Sequence, residues 1–280
     1  MRNWAVTLIL SLIVTFALWQ NPPKRAVLSE SVEATPMASA APSAYPSPSP
    51  TATPRALVGY CLNVPILLYH HVQPQDQAQA KGQKNISVDT NVFEGQMAYL
   101  KSSGYTTLTG DQLAHALADK QELPKKSIVL TFDDGYDDFY TNVYPVIQKY
   151  GLVANLMVST GLVNNAQYLS WGQIREMVSG GLVHAYNHTW SHANLTGKPL
   201  EKIRFEIMTA NQQLKDNLGK DNAIFTYPYG SSSQAIIDFL KKNGFTAAFS
   251  TLPGNVQCDS FIMTLHRNRV GNSPLSSYGL

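Results

Sequence analysis

Four residues in two short stretches have the types that hydrolytic metal chemistry requires. Asp133 and Asp134 stand side by side in "TFDDGYDD", and His188 and His192 stand four positions apart in "NHTWSH". Two imidazoles and one carboxylate make a three-ligand set that leaves coordination positions open, as catalytic zinc sites do, whereas structural zinc is closed by four ligands. The second carboxylate then stays free to accept a proton. Each signal alone is weak. An HxxxH pair also occurs among ordinary surface and core histidines, and an acidic pair before Gly135 equally suits the first turn of a helix, where acids favour the dipole. Joined at one place, the two signals describe a cation with a base beside it.

A scaffold must therefore bring residues 133–134 next to residues 188–192. Runs with strand character are "VPILLYHHV", "SIVLTF", "VANLMVS", "GLVHAY", "AIFTYPY" and "FTAAFS". Between them lie helical patterns. Phe93, Met97 and Leu100 share a face before Gly104; Ser170 and Gln173 have capping-box spacing ahead of Ile174 and Met177; Leu200, Ile203, Ile207, Leu214 and Leu218 keep helical spacing up to Gly219; Ile236, Phe239 and Leu240 precede Gly244. Regular β-then-α alternation implies an α/β fold with a parallel sheet, open or closed into a barrel. In a barrel the catalytic groups sit at the C-terminal strand ends. "YHHV", "DDGYDD", "NHTWSH" and "PYG" each follow a strand run, which favours one shared site.

The rest of the chain bounds the setting. Residues 1–20 are apolar from Trp4 to Trp19 apart from three hydroxyl residues and read as a signal peptide or membrane anchor. Residues 21–56, rich in Pro, Ser, Thr and Ala, cannot bury enough apolar surface to offset their ordering entropy and read as an extracytoplasmic tether, leaving a folded domain over 57–280. From residue 58 onward there are 17 basic and 17 acidic side chains, with no basic run interleaved with aromatics, so a neutral partner fits and nucleic acid does not. Cys61 and Cys258, the only cysteines, are either a disulfide joining the two ends of the domain or two buried thiols. No HExxH run suggests a metalloprotease.

"TFDDGY", "HTWSH" and "YPYG", in this order, resemble the motifs of the polysaccharide deacetylases of carbohydrate esterase family 4, the NodB-like fold. "VPILLYHHV" and "FEGQMAYLKSSGYTTLTGDQLAHAL" resemble its circularly permuted subgroup, which includes poly-β-1,6-N-acetylglucosamine deacetylases; the likeness spans residues 64–272. It implies a distorted (β/α)7-type barrel. It also implies metal ligation by Asp134, His188 and His192, with Asp133 as general base. In permuted relatives the acid histidine comes from the first strand, which points to His70, with His71 behind it and His266 of "TLHR" third. The third motif begins with Thr226 where the family usually has arginine; the Leu-x-Arg of permuted relatives is matched by Leu265 and Arg267, so Arg267 is the candidate charge beside Asp133.

The mechanism so implied is hydrolysis of an N-acetyl group. Zinc is the default cation, with cobalt, nickel or iron also suited to the ligands, and it lowers the pKa of water towards about 7. Tyr229, within Pro228–Gly230, is the candidate oxyanion donor through its backbone N–H, while Tyr136 and Trp190 are candidates to line a sugar groove. His115 and His184 read as structural, and Trp171 as packing. The implied partner is an N-acetylated polysaccharide, poly-N-acetylglucosamine first and peptidoglycan or chitin-like polymer next. The implied protein is a monomer in the cell envelope. The competing reading is a carbohydrate-binding pseudoenzyme with the same groove.

Overall fold

The computed structural model describes residues 58–280. The expected N-terminal apolar segment and the linker lie outside the described residues, among which no helix is long and apolar enough to cross a membrane.

The described chain alternates strands and helices. β1 is Ile66–Tyr69, α1 Gln75–Ala80, α2 Thr90–Ser102, β2 Thr106–Leu108, α3 Gly110–Ala118 and β3 Ser127–Phe132. Then come α4 Tyr144–Tyr150, β4 Ala154–Val158, α5 Trp171–Ser179 and β5 Val183–Asn187. α6 Leu200–Leu218, β6 Ile224–Thr226, α7 Gln234–Lys242, β7 Ala247–Phe249 and β8 Asn268–Arg269 complete the order. Every strand run read from the sequence contains a strand, and Ser170 and Gln173 form the expected capping box. The short strands β2 and β8 and the helices α1, α3 and α4 were not anticipated.

The sheet is parallel, in the order β7-β6-β5-β4-β3-β1-β8, and it curls until its edges meet. Closure falls to the segment 265–269. Leu265 bridges Phe249 of β7 and donates its N–H to Ala248 O at 2.8 Å, while Asn268 and Arg269 pair with Leu67 and Leu68 of β1. Seven strand positions thus surround one axis, a distorted (β/α)7-type barrel. β2 is the distortion: it takes the first half of one edge of β3, and β4 takes the second half. Buried Asn155 fills the fork. Its Nδ2 donates to Leu108 O and Leu130 O at 3.0 and 2.9 Å, and its Oδ1 accepts from Gly110 N at 2.8 Å, so these three backbone groups at the branch are paired.

Strand alternation divides the apolar residues between two faces. Ile66, Val129, Met157, Tyr186, Ile224 and Leu265 face inward and pack on Leu113 and Leu117 of α3, which plugs the floor of the ring. Leu67, Leu130, Leu156 and Ala185 face outward beneath α2, α4 and α5, and Phe225 and Ala248 lie beneath α6 and α7. Below the floor, Cys61 and Cys258 face each other in a two-stranded antiparallel pair and are disulfide-bonded.

Candidate metal and catalytic centre

The inward row of side chains turns polar at the C-terminal mouth. Two residues beyond inward Thr131 stands Asp133, two beyond Tyr186 stands His188, and two beyond Leu265 stands Arg267. One alternation therefore sets both the apolar floor and the reactive rim.

Asp134 has the opposite parity and would point outward if the strand continued. A left-handed backbone, φ +77° at Asp134 and +82° at Gly135, breaks the strand there and returns its carboxylate to the mouth. Its Oδ1 lies 3.3 Å from His188 Nε2 and 3.1 Å from His192 Nε2. Of the eight non-glycine residues with positive φ among those described, four belong to this rim: Asp134, Thr189, His192 and Tyr229. Strain concentrated in this way marks a site that the surrounding fold holds against local preference.

Three observations fit a cation. Asp134 Oδ1 is buried and accepts no hydrogen bond. His188 Nδ1 lies 2.9 Å from Thr226 O; donating there fixes the tautomer and leaves the Nε2 lone pair facing Asp134. One donor atom from each of Asp134, His188 and His192 lies within 4.8 Å of the others. Burial pushes the Asp134 carboxyl up, but the two imidazoles together hold it well below the ordinary range. His192, where burial opposes Asp134, ends above the usual imidazole value.

Asp133 is held separately. Arg267 Nη1 and Nη2 donate to its two oxygens at 2.7 and 2.9 Å, Nη1 also reaches Thr131 Oγ1 at 3.1 Å, and Nε donates to Ser250 O at 2.7 Å. Burial pushes Asp133 up and the guanidinium more than offsets it, so the carboxyl stays below its ordinary value. Asp133 N donates to Tyr69 O at 3.0 Å, which sets His70 alongside. Burial pushes His70 down to about 4, against the pull of Asp133 and Asp134.

The other sequence candidates occupy distinct places. His71 is buried, its Nδ1 lies 2.8 Å from Asp138 Oδ2, and its ring lies 3.7 Å from that of Tyr136. Tyr136 stacks on Tyr168 at 5.2 Å, and burial followed by the Asp134 charge raises its hydroxyl pKa well above the tyrosine range. Tyr229 is 66% exposed, with its ring 4.6 Å from that of His192; it sits between buried Pro228 and Gly230, where a Cβ would meet the Thr251 side chain. Trp190 packs edge-on against Phe205 at 5.2 Å and closes over Gly161. His266 lies on the face opposite Arg267 and stacks on Phe261 at 4.6 Å, away from this rim. Trp171 packs against the outer core.

One residue of the site escaped sequence reading. Glu206 of α6 is fully buried and receives Ser191 N at 2.8 Å, Ser191 Oγ at 2.7 Å and Lys202 Nζ at 2.6 Å. It clamps the loop between the two histidines. Its only signal was a carboxylate beside Ile203 and Ile207 on an otherwise apolar face.

The sequence profile of the polysaccharide deacetylase family matches residues 120–248. YxkH of Bacillus subtilis (strain 168), whose name assigns it to the polysaccharide deacetylases, is 30% identical over 74% of this chain and 71% of its own. The poly-beta-1,6-N-acetyl-D-glucosamine N-deacetylase of Escherichia coli (strain K12) is 29% identical over 74% of this chain, which spans only 36% of that protein. The structure of the Streptococcus pyogenes deacetylase PplD in complex with acetate superposes with a TM-score of 0.70 at 27% identity, covering 75% of this chain and 92% of that one.

Proposed function

The chain belongs to the polysaccharide deacetylase family, and from that membership we infer that it removes N-acetyl groups from an N-acetylglucosamine polymer, with poly-N-acetylglucosamine the favoured substrate and peptidoglycan or chitin-like polymer next. The observation that carries this reading is the pairing of two differently held acids. Asp134 presents an unsatisfied oxygen to two imidazoles, and Asp133, one residue earlier, is locked to Arg267.

Asp134, His188 and His192 would hold the cation, zinc by ligand type with cobalt, nickel or iron also suited. When bound, it supplies Lewis acidity that activates water and polarises the acetamide carbonyl. Asp133, kept ionised by Arg267, accepts the proton of the attacking water. The backbone N–H of Tyr229 is assigned to the developing oxyanion, with Pro228 and Gly230 fixing the turn that presents it. His70, whose pKa burial holds low, is assigned to hand the proton taken from water to the departing amine. Acetate leaves, and the sugar keeps a free amine.

Arg267, bonded to Asp133, is assigned the role that the third-motif arginine has in the family, which favours the hydrolase over a pseudoenzyme. Tyr136 and Trp190 are assigned to the groove walls. The Cys61–Cys258 disulfide suits an oxidising, extracytoplasmic compartment, in line with residues 1–20 as anchor or signal and 21–56 as tether to a catalytic domain over 57–280. The deciding experiment incubates the zinc-loaded protein with N-acetylglucosamine oligomers and assays acetate. Release supports the hydrolase, whereas glycan binding without acetate supports a binding module.

A further inference from the structure

A pocket of about 540 Å³ opens next to this rim, lined by Gln77, Lys81, Asp137, Asp138, Thr141 and Asn142 among others. It is linked to the catalytic centre through Asp138. Asp138 is bonded through Oδ2 to His71, whose ring covers Tyr136 and whose neighbour in the chain is His70.

Two donors of this lining are engaged. Asn142 Nδ2 donates to Val72 O at 2.7 Å, and Lys81 Nζ donates to Gln73 Oε1 at 3.2 Å. Two carboxylates stand beside them. Asp138 is 8% exposed, and its buried Oδ1 has no hydrogen-bond partner. Asp137 stands exposed at the edge, and only its backbone is hydrogen-bonded. Two carboxylates face one ammonium, that of Lys81, with the His71 imidazole behind Asp138, so a further cation that brings N–H donors suits the pocket. Burial and then the Asp137 charge push the Asp138 carboxyl up despite His71, which is the strain a bound cation would relieve. A neutral sugar offers hydroxyl donors but leaves the charge uncompensated; a protonated amine supplies both.

We propose that this pocket is a subsite for a hexosamine residue whose amine is free and protonated, neighbouring in the same polymer the N-acetylated residue at the catalytic centre. The proposal rests on the reading of that centre as a polysaccharide N-deacetylase. The ligand is then the reaction's own product unit, and a chain that already carries one free amine is a better substrate than one that carries none.

The test uses the full zinc-loaded protein and two oligomers of equal length, one fully N-acetylated and one with a single glucosamine unit, comparing kcat/KM for acetate release. The expected result is a preference of about fivefold for the second oligomer, the size of one partly exposed charge pair. Asp137→Asn, which keeps the side-chain shape and touches no catalytic group, should erase the preference and leave turnover of the fully acetylated oligomer unchanged. Equal kcat/KM for the two oligomers with wild type, or a preference that survives in the variant, overturns the proposal. If neither oligomer yields acetate, the catalytic reading is what has failed, and calorimetry with glucosamine trimer decides the subsite alone. Binding that weakens in Asp137→Asn upholds it, and equal or absent binding in both proteins overturns it.

Discussion

The guanidinium of Arg267 grips the carboxylate of Asp133 through two parallel hydrogen bonds, 134 residues away in sequence and inside the mouth of the barrel. A buried bidentate pair keeps an acid ionised where burial alone would neutralise it. Arg267→Gln should therefore raise the Asp133 pKa. Because the base works only when ionised, the acid limb of the kcat/KM profile should move to higher pH. Loss of the partner should also cost about 3–5 kcal/mol of stability. An unmoved acid limb in folded Arg267→Gln protein would remove Asp133 as the base.

Metal content separates the two acids. Asp134→Asn and His192→Ala should emerge without zinc and without turnover, while Asp133→Asn should keep its zinc and lose activity about 100-fold or more, the scale of general-base catalysis. Elemental analysis beside an acetate assay reads both effects. Full zinc occupancy in Asp134→Asn would show that the ligand assignment is wrong.

Glu206 should matter for binding of the cation although it lies outside the ligand set. Glu206→Ala strands Ser191 N and Oγ without their acceptor, at about 1–3 kcal/mol, and frees the loop that carries both histidines. Zinc competition titrations should show weaker binding, with partial rescue in Glu206→Gln. Burial raises the Glu206 pKa, but Lys202 and Ser191 lower it further, so its value in the fold is depressed. The clamp's contribution should thus be complete above the ordinary glutamate range and fade as pH falls through the depressed value. Thermal melts that show the same wild-type-to-Ala difference at neutral and strongly acid pH would contradict this.

Cys61→Ser should lower stability by up to about 5 kcal/mol, since the bond closes a span with a sequence separation of 197. The pair lies below the plugged floor and the rim lies at the opposite end, so zinc content and turnover well below the melting temperature should hold. Chemical denaturation with and without reductant measures the first, and the acetate assay the second.

Much of the site was legible because its chemistry is local. "TFDDGY" and "NHTWSH" each hold reactive side chains at the end of a strand pattern. Long-range pairing was not legible from residue pattern. Nothing in "TLHRNRV" shows that the strand closes the ring or that Arg267 rather than His266 faces inward; family likeness alone pointed to that arginine. Asn155 looks like a polar interruption of a strand until the branch it fills is seen. Thr106–Leu108 is too short to stand out by periodicity. Glu206 shows only as a carboxylate beside Ile203 and Ile207 until the loop it clamps is in place.

The closing strand has a temporal consequence. Residues 265–269 come late in the domain relative to β1 and β7, and they slot between those two strands, so the ring closes only after both have been made. Until then Asp133 has no counterion and the ring stays open along one side. A chain made only as far as β7 thus lacks both the closing strand and the arginine that holds Asp133.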